Sequence, residues 1–206
     1  MPHAKTTPEV PALTTEPVAP GCLVLVVGPE HAGPDLLITA ARRRIADLGS
    51  LEFPKVVTTR RNGPRDAEVF LGRDVFHDIE REGGFLASWA IAGHRFGLPL
   101  SVRADLDAGR TVVVAVPASA VSDFQDTCAE VRVVRLTAGP DAARQTLTPQ
   151  ACFRRMMGPK LAQRLEGRRL QPQTDAVSCG GDVVAAIRGL TDVLARIDQE
   201  RAQFPD

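Results

Sequence analysis

The feature that most constrains the fold is an apolar run that ends at a glycine and leads, five residues later, to a second glycine and an amphipathic segment. The run is "CLVLVV", residues 22–27, and the glycines are Gly28 and Gly33. A continuous apolar run of this length is typical of a buried parallel strand. The order of strand, glycine-bounded loop and helix matches G-x-x-x-x-G-K-[ST], in which backbone N–H groups and a helix N-terminus cradle phosphate.

The loop departs from that pattern at the positions after its second glycine. Pro34 stands where the pattern has lysine, so the ammonium and one backbone N–H are both absent, and Asp35 stands where it has a hydroxyl. Glu30 adds a negative charge inside the loop, whereas His31 can donate to a phosphate when protonated. Two interpretations remain open: a phosphate-binding loop, or a plain strand-to-helix turn in which proline starts the helix.

Apolar runs and helix-like segments alternate along the rest of the chain. Strands are predicted at 54–60, 111–117 and 131–137, a strand–turn–strand unit at 85–99, and helices at 38–48, 75–85, 103–110, 141–169 and 182–200. Strands that alternate with helices in one domain predict a parallel α/β sheet with helices on both faces. Ligands bind beyond the carboxyl ends of such strands, which directs attention to residues 28–35, residues 58–65 and the tip after Val116.

Composition excludes some classes of function. Lys+Arg and Asp+Glu both total 25, so the chain lacks the net positive charge that would favour binding to nucleic acid. Any anion site must therefore be local. No apolar run approaches the ~20 residues of a membrane span. The four cysteines form no C-x-x-C pair, which is typical of free thiols in a reducing compartment. We therefore expect no nucleic-acid partner, no membrane partner and a cytoplasmic location.

Four segments occur in an order that carries a family resemblance. They are "VVGPEHAGPDLL", "VVTTRR", "GGFLASWAIAGHRFGLP" and "LDAGRTVVVAV". They are similar to V-G-P-S-G-A-G-K-D-S-L, I-T-R, G-G-F-x-L-x-W-x-A-x-G-x-x-Y-G-I-P and L-x-A-G-R-D-V-V-V-N-G-S-R of the ribose 1,5-bisphosphate phosphokinases of phosphonate catabolism, a guanylate-kinase-like family of P-loop kinases. Asp35, Thr59, Arg60 and Trp89 fall on matching positions, and we interpret Trp89 as a core residue.

The resemblance implies a P-loop kinase-like parallel sheet with helices on both faces and small inserted substrate-binding and lid segments. The implied domain covers residues 21–200, with a substrate-binding insert at about 58–107 and a lid-like segment at about 145–170. Residues 1–20 are rich in proline and threonine and lack a signal-peptide apolar region, so we expect a disordered tail there, and a second tail at 201–206.

The implied activity is ATP-dependent phosphorylation of ribose 1,5-bisphosphate to 5-phospho-α-D-ribose 1-diphosphate, with a sugar phosphate, ATP and Mg²⁺ as partners. Asp35 and Arg60 are the implied catalytic residues; Asp35 would assist Mg²⁺ and Arg60 would hold the substrate. The implied ATP cradle is the loop itself: Gly28, Pro29, Glu30, His31, Ala32, Gly33, Pro34 and Asp35.

The sequence departs from the family pattern at functional positions. Pro34 replaces the lysine, Phe96 replaces a tyrosine, and Ala115-Val116-Pro117-Ala118 replaces N-G-S-R. The basic segment "TPQACFRRMMGPKLAQRLEGRR" stands where the family has its R-G-R-E lid. These losses leave an alternative open: a catalytically degenerate kinase homologue that binds a phosphorylated ligand or regulates a partner. A homodimer, or another protein that supplies the missing charge, is open as well.

Further basic residues allow two interpretations each. Arg61 and Arg65 could join Arg60 in a clamp on a sugar phosphate, or form a solvated turn. A lid-like role or an exposed basic helix is open for Arg154, Arg155, Lys160 and Arg164. His94, near the hairpin turn, could donate to a phosphate or be a surface residue.

Overall fold

The computed structural model describes residues 21–28, 33–46, 49–125, 127–128, 130–137, 174–179 and 182–203. The predicted tail at 1–20, the lid-like segment at about 145–170 and the predicted helix at 141–169 lie outside the described residues. Within these ranges, no helix is long and apolar enough to cross a membrane.

The described elements alternate between strands and helices. In chain order they are β1 Cys22–Val27, α1 Pro34–Arg44, β2 Leu51–Glu52, β3 Val56–Thr58, β4 Glu68–Phe70, α2 Arg73–Arg81, β5 Phe85–Ile91, β6 His94–Pro99, α3 Val102–Asp107, β7 Thr111–Ala115, a 3-10 turn Ala118–Ala120, α4 Val121–Gln125, β8 Glu130–Thr137, β9 Thr174–Ser178 and α5 Val183–Gln203.

A parallel sheet forms the centre of the molecule, with strand order β2-β7-β1-β8-β9 among the described residues. The central strand β1 pairs with β7 on one side, with Val24 opposite Val113, and with β8 on the other, with Val24 opposite Arg132. All of β1 is buried. This explains why its sequence is continuously apolar: a strand covered on both faces has no solvent-facing position.

Successive residues of β1 enter two separate hydrophobic clusters, because side chains alternate between the faces of a sheet. On one face, Cys22, Val24 and Val26 pack with residues of α1 and α5. On the other face, Leu23, Leu25 and Val27 pack with residues of α3, α4 and the β5–β6 hairpin. The prediction of a parallel α/β sheet with helices on both faces is therefore confirmed.

A second sheet has the strand order β4-β3-β6-β5. Strands β5 and β6 form an antiparallel hairpin whose turn residues, Ala92 and Gly93, both have positive φ, 48° and 78°. Such φ values give a turn whose twist matches that of the paired strands. Strand β3 pairs antiparallel with β6 and parallel with β4. The buried side chains of Trp89 and Phe96 attach this sheet to the cluster beneath the central sheet.

The structure corrects several sequence-based boundaries. The segment 54–60 was expected to follow the alternating parallel series, but its strand β3 belongs to the second, mixed sheet. Helix α1 begins at Pro34 and ends at Arg44, earlier than the predicted 38–48. The short elements β2, β4, β9 and α4 were not predicted. These elements have two to five residues each, too few to show a hydrophobic period.

Candidate active site

The candidate site begins where β1 ends and α1 starts. Gly33 has φ 58° and ψ 53°, a left-handed conformation that favours glycine, and Pro34 follows as the first residue of the helix. The N–H of Leu37 donates to the carbonyl of Gly33 at 3.0 Å, and no side chain of the described residues caps this helix end. Its first-turn N–H groups therefore face the loop, where an anion is favourable.

Gly28, at the other end of the loop, lies close to the neighbouring strand. A Cβ there would lie 2.8 Å from Cβ of Leu136, so a larger residue would push β1 and β8 apart. The residues between the two glycines, Pro29, Glu30, His31 and Ala32, lie outside the described residues. Their predicted role in an ATP cradle thus stays a prediction.

Asp35 lies in the first turn of α1 and is half-buried. It lines a cleft between α1 and the second sheet, together with Thr39, Arg42, Asp66 and apolar residues of β7. Burial raises the pKa of the Asp35 carboxyl above its ordinary value of 3.8, and the charge of Glu68 raises it further, against the opposing charge of Arg60. The two predicted catalytic residues, Asp35 and Arg60, are therefore electrostatic neighbours in the fold.

Arg60 is paired with a carboxylate that the sequence did not reveal. Its Nε donates to Oε2 of Glu68 at 3.3 Å, and its Nη2 forms an ion pair with Oε1. The guanidinium also lies over the ring of Phe96, 5.4 Å from the ring centre. The Arg60 side chain keeps 36% exposure, whereas that of Glu68 keeps only 7%. The predicted substrate-holding arginine is thus partly neutralised within the chain itself.

The backbone before Arg60 is tied to the hairpin. The N–H of Thr59 donates to the carbonyl of Arg95 at 3.0 Å, and the Arg95 N–H donates to Oγ1 of Thr59 at 2.9 Å. The N–H of Arg60 donates to Oγ1 of Thr58 at 3.0 Å. Both threonines are buried. These bonds give a structural reason for threonine at both positions, because each hydroxyl satisfies a backbone donor.

The other predicted clamp arginines do not join Arg60. The Arg61 guanidinium lies over the ring of Phe70, 4.9 Å from its centre, and Phe70 is an exposed residue of β4. Arg65 is exposed, and its carbonyl accepts a hydrogen bond from Nζ of Lys55 at 3.1 Å. The three arginines therefore do not form one clamp: Arg60 lies over Phe96, whereas Arg61 lies over Phe70.

The third predicted segment, the tip after Val116, is apolar. Val116 is 5% exposed, and its N–H donates to the carbonyl of Val26 at 3.1 Å. Ala115 lines the cleft, so the position where the family has asparagine presents a methyl group.

His94 pairs with Ile91 at the hairpin end, and its Nδ1 is buried without a hydrogen-bond partner in the described part of the chain. The basic residues 154–164 lie outside the described residues.

The described residues contain neither a cluster of metal ligands nor an activated thiol. Among them, no group of three or more His, Cys, Asp or Glu side chains could hold a metal ion. Burial raises the pKa of the Cys22 thiol from 9.0 to about 12, and burial also raises the pKa values of Cys128 and Cys179. Raised values suppress the thiolate, so none of these three is an activated nucleophile.

Comparison with known proteins agrees with this geometry. No protein-family model matches the sequence. The chain is 34% identical over 182 residues to the ribose 1,5-bisphosphate phosphokinase PhnN of Rhodopseudomonas palustris, a match that covers 88% of this chain and 92% of that protein. It is 36% identical over 157 residues to the protein of the same name from Acidiphilium cryptum, covering 76% and 82%.

A solved structure supports the fold independently. The crystal structure of guanylate kinase from Anaplasma phagocytophilum matches with a TM-score of 0.58 at 12% sequence identity, over 88% of each chain. At that identity the match concerns the fold alone, and it confirms the guanylate-kinase-like architecture expected from the sequence. Taken with 34% identity over 92% of the Rhodopseudomonas relative, it leads to one conclusion. The chain belongs to the PhnN family of ribose 1,5-bisphosphate phosphokinases.

Proposed function

We propose that this protein transfers a phosphoryl group from ATP to ribose 1,5-bisphosphate, giving 5-phospho-α-D-ribose 1-diphosphate, as a step of phosphonate catabolism. The observation that supports the proposal is the half-buried carboxylate of Asp35, beside the loop, in the electrostatic field of Arg60, which follows strand β3. Transfer between two phosphorylated molecules needs a donor site and an acceptor site that face each other. The names of the relatives supply the substrate.

The residues at the start of α1 fit a phosphate group in part. The left-handed Gly33, the uncapped first turn and the close approach at Gly28 make a cradle with its N–H groups open. A half-buried carboxylate at Asp35 suits Mg²⁺, which binds through one or two carboxylates together with substrate phosphates. When bound, Mg²⁺ supplies charge neutralisation for the phosphates. The lysine charge of the standard loop has no counterpart at Pro34.

The chain's own groups would then act by position and charge. The uncapped N-terminus of α1 would hold the donor phosphates, and Asp35 would orient the metal. Arg60 would hold a phosphate of the sugar through the part of its guanidinium that Glu68 does not occupy. The apolar wall of β7 would exclude water from the cleft, which strengthens each charge interaction inside it.

A second candidate follows from the proline at the lysine position. A protein with the cradle but without the lysine would bind the sugar phosphate and turn it over slowly or not at all. The lost charge-assisted contact corresponds to about 1.5–3 kcal/mol, or roughly 10- to 150-fold in rate if it acts in the transition state. Such a homologue would act as a regulatory or partner protein, or would receive the missing charge from another chain.

One experiment separates the two candidates. A coupled phosphotransfer assay with ATP, Mg²⁺ and ribose 1,5-bisphosphate is run on the natural chain, on Pro34→Lys and on Arg60→Ala. Turnover of about 1 s⁻¹ or faster by the natural chain, lost in Arg60→Ala, supports the kinase. Turnover only in Pro34→Lys supports the degenerate homologue. Absence of an ATP-dependent thermal shift at millimolar ATP, in both the natural chain and Pro34→Lys, would overturn the kinase proposal.

A further inference from the structure

The guanidinium of Arg60 is held on two sides. Two of its nitrogens face the carboxylate of Glu68, and its Cζ lies over the Phe96 ring, 5.4 Å from the ring centre. Phe96 in turn stacks on Trp89, with ring centres 6.0 Å apart and planes 8° from parallel. Trp89, Phe96 and Arg60 therefore form a chain of contacts that links the guanidinium to the hydrophobic core.

Glu68 cannot release Arg60 at low cost. Its side chain keeps 7% exposure, and a buried carboxylate that loses its partner is strongly destabilising. Gly63 closes the pair from outside, because a Cβ there would lie 2.6 Å from Cδ of Glu68. The charge of Glu68 also raises the pKa of Asp35, which shows that these two carboxylates repel each other. Arg60 therefore stays with Glu68 when a ligand arrives.

This arrangement determines which part of Arg60 a phosphate can reach. Nε and Nη2 are directed at Glu68, so the Nη1 edge is the part of the fork left for an anion. We infer that Glu68 is a positioning residue that fixes Arg60 over Phe96 and leaves this edge as the donor for an anion, so that the sugar phosphate is bound end-on. The inference rests on the proposed function, since it assigns to Arg60 a phosphate of ribose 1,5-bisphosphate.

Two effects of opposite sign meet at Glu68. Its charge repels an incoming phosphate, whereas its hydrogen bonds remove the rotamer freedom of a long arginine side chain before the ligand binds. A ligand that binds together with Mg²⁺ brings a positive charge, and this charge reduces the repulsion by Glu68. Among the described contacts of the Arg60 guanidinium, the Phe96 ring is the other restraint. The preorganisation of Arg60 therefore outweighs the repulsion. Without it, the dissociation constant for the sugar phosphate should be about three- to tenfold larger.

The test measures binding of ribose 1,5-bisphosphate by titration calorimetry, with Mg²⁺ and without ATP, so that turnover is not required. Glu68→Ala is expected to bind about three- to tenfold more weakly than the natural chain, and Glu68→Gln, which keeps one acceptor for Nη2, should lie between them. In the Arg60→Ala background the additional Glu68→Ala change should have no further effect, because Glu68 acts through Arg60.

A matched control is available on the opposite face of the hairpin. Glu80 of α2 pairs with Arg95 of β6, the residue before Phe96, so Glu80→Ala breaks a similar ion pair beside the same sheet. Its dissociation constant should change by less than about twofold. Circular dichroism establishes whether each variant is folded. If Glu68→Ala does not fold, Glu68→Gln still provides the test.

The outcomes separate the inference from the proposed function. If the natural chain binds ribose 1,5-bisphosphate and Glu68→Gln binds it as tightly or more tightly, Glu68 is a competing anion and the inference is overturned alone. The inference is also overturned if Glu68→Ala weakens binding by the same factor in the natural chain and in the Arg60→Ala background. If the natural chain does not bind the sugar phosphate at all, the proposed function and the inference both fail.

Discussion

Replacing Gly63 by alanine tests how tightly the Arg60–Glu68 pair is enclosed. The new Cβ would lie 2.6 Å from Cδ of Glu68 and closer still to its Oε2. To restore an ordinary contact of 3.4 Å, Cδ of Glu68 must retreat by at least about 0.8 Å, and Oε2, which lies closer to the new Cβ, by more than that. The hydrogen bond from Nε of Arg60 is already 3.3 Å long, so a retreat of this size breaks it.

The expected loss of stability follows from that broken bond. A hydrogen bond between charged groups contributes about 1.5–3 kcal/mol, which we reduce to about 1–2 kcal/mol because the Arg60 side chain is 36% exposed. For a chain of this length, that loss lowers the melting temperature by roughly 2–8 °C. The measurement is urea denaturation followed by the fluorescence of Trp89, the single tryptophan of the chain.

Gly49→Ala is the matched control. At Gly49, no atom of the described residues lies within 4 Å of the position of a new Cβ, and its φ is not in the left-handed range. That change should stabilise the protein slightly, by about 0.4–1 kcal/mol, because alanine restricts the unfolded chain. If Gly63→Ala proves as stable as Gly49→Ala, the Glu68 carboxylate moves freely, and the reasoning about an enclosed pair is refuted.

Three further predictions concern charge and aromatic packing. Asp35→Asn should raise the melting temperature at neutral pH, because the raised pKa of Asp35 means that its charge opposes folding there. The gain should shrink as pH falls through the raised pKa toward 3.8 and be absent well below 3.8, where the folded and unfolded states are both protonated; a loss at neutral pH would contradict this. Burial alone would raise the pKa of Glu80, but hydrogen bonds from a serine and an arginine lower it overall from 4.5. The Glu80 carboxylate therefore stabilises the fold above pH 4.5, and this contribution is lost as pH falls through the lowered pKa. Glu80→Gln should therefore flatten the acid side of a melting-temperature profile taken between about pH 7 and pH 3, and an unchanged slope would count against it. Phe96→Leu should cost about 1–2 kcal/mol in urea denaturation, since it removes a buried ring pair and a cation–π contact. The exposed Phe70→Leu serves as its control, and equal losses would contradict the role given to burial.

The three inner strands of the central sheet, β7, β1 and β8, were predictable because their apolar residues directly reflect burial. A strand buried on both faces must be apolar throughout, and β1 is. The hairpin at 85–99 and the last helix were predicted for similar local reasons, namely a glycine turn and a regular apolar face. Short elements escaped prediction: β4 has three residues, of which Val69 and Phe70 are exposed, so its sequence shows no core face.

The candidate site divides in the same way. The sequence by itself determined the glycine-bounded loop, the absence of its lysine and the match at Arg60, because these depend on residue type and spacing along the chain. Only the tertiary structure decided that Glu68 neutralises Arg60, that Phe96 supports its guanidinium and that Asp35 lies in their field. Those contacts join separate elements, and their energies depend on burial and on distance through space, neither of which can be read from positions in a sequence.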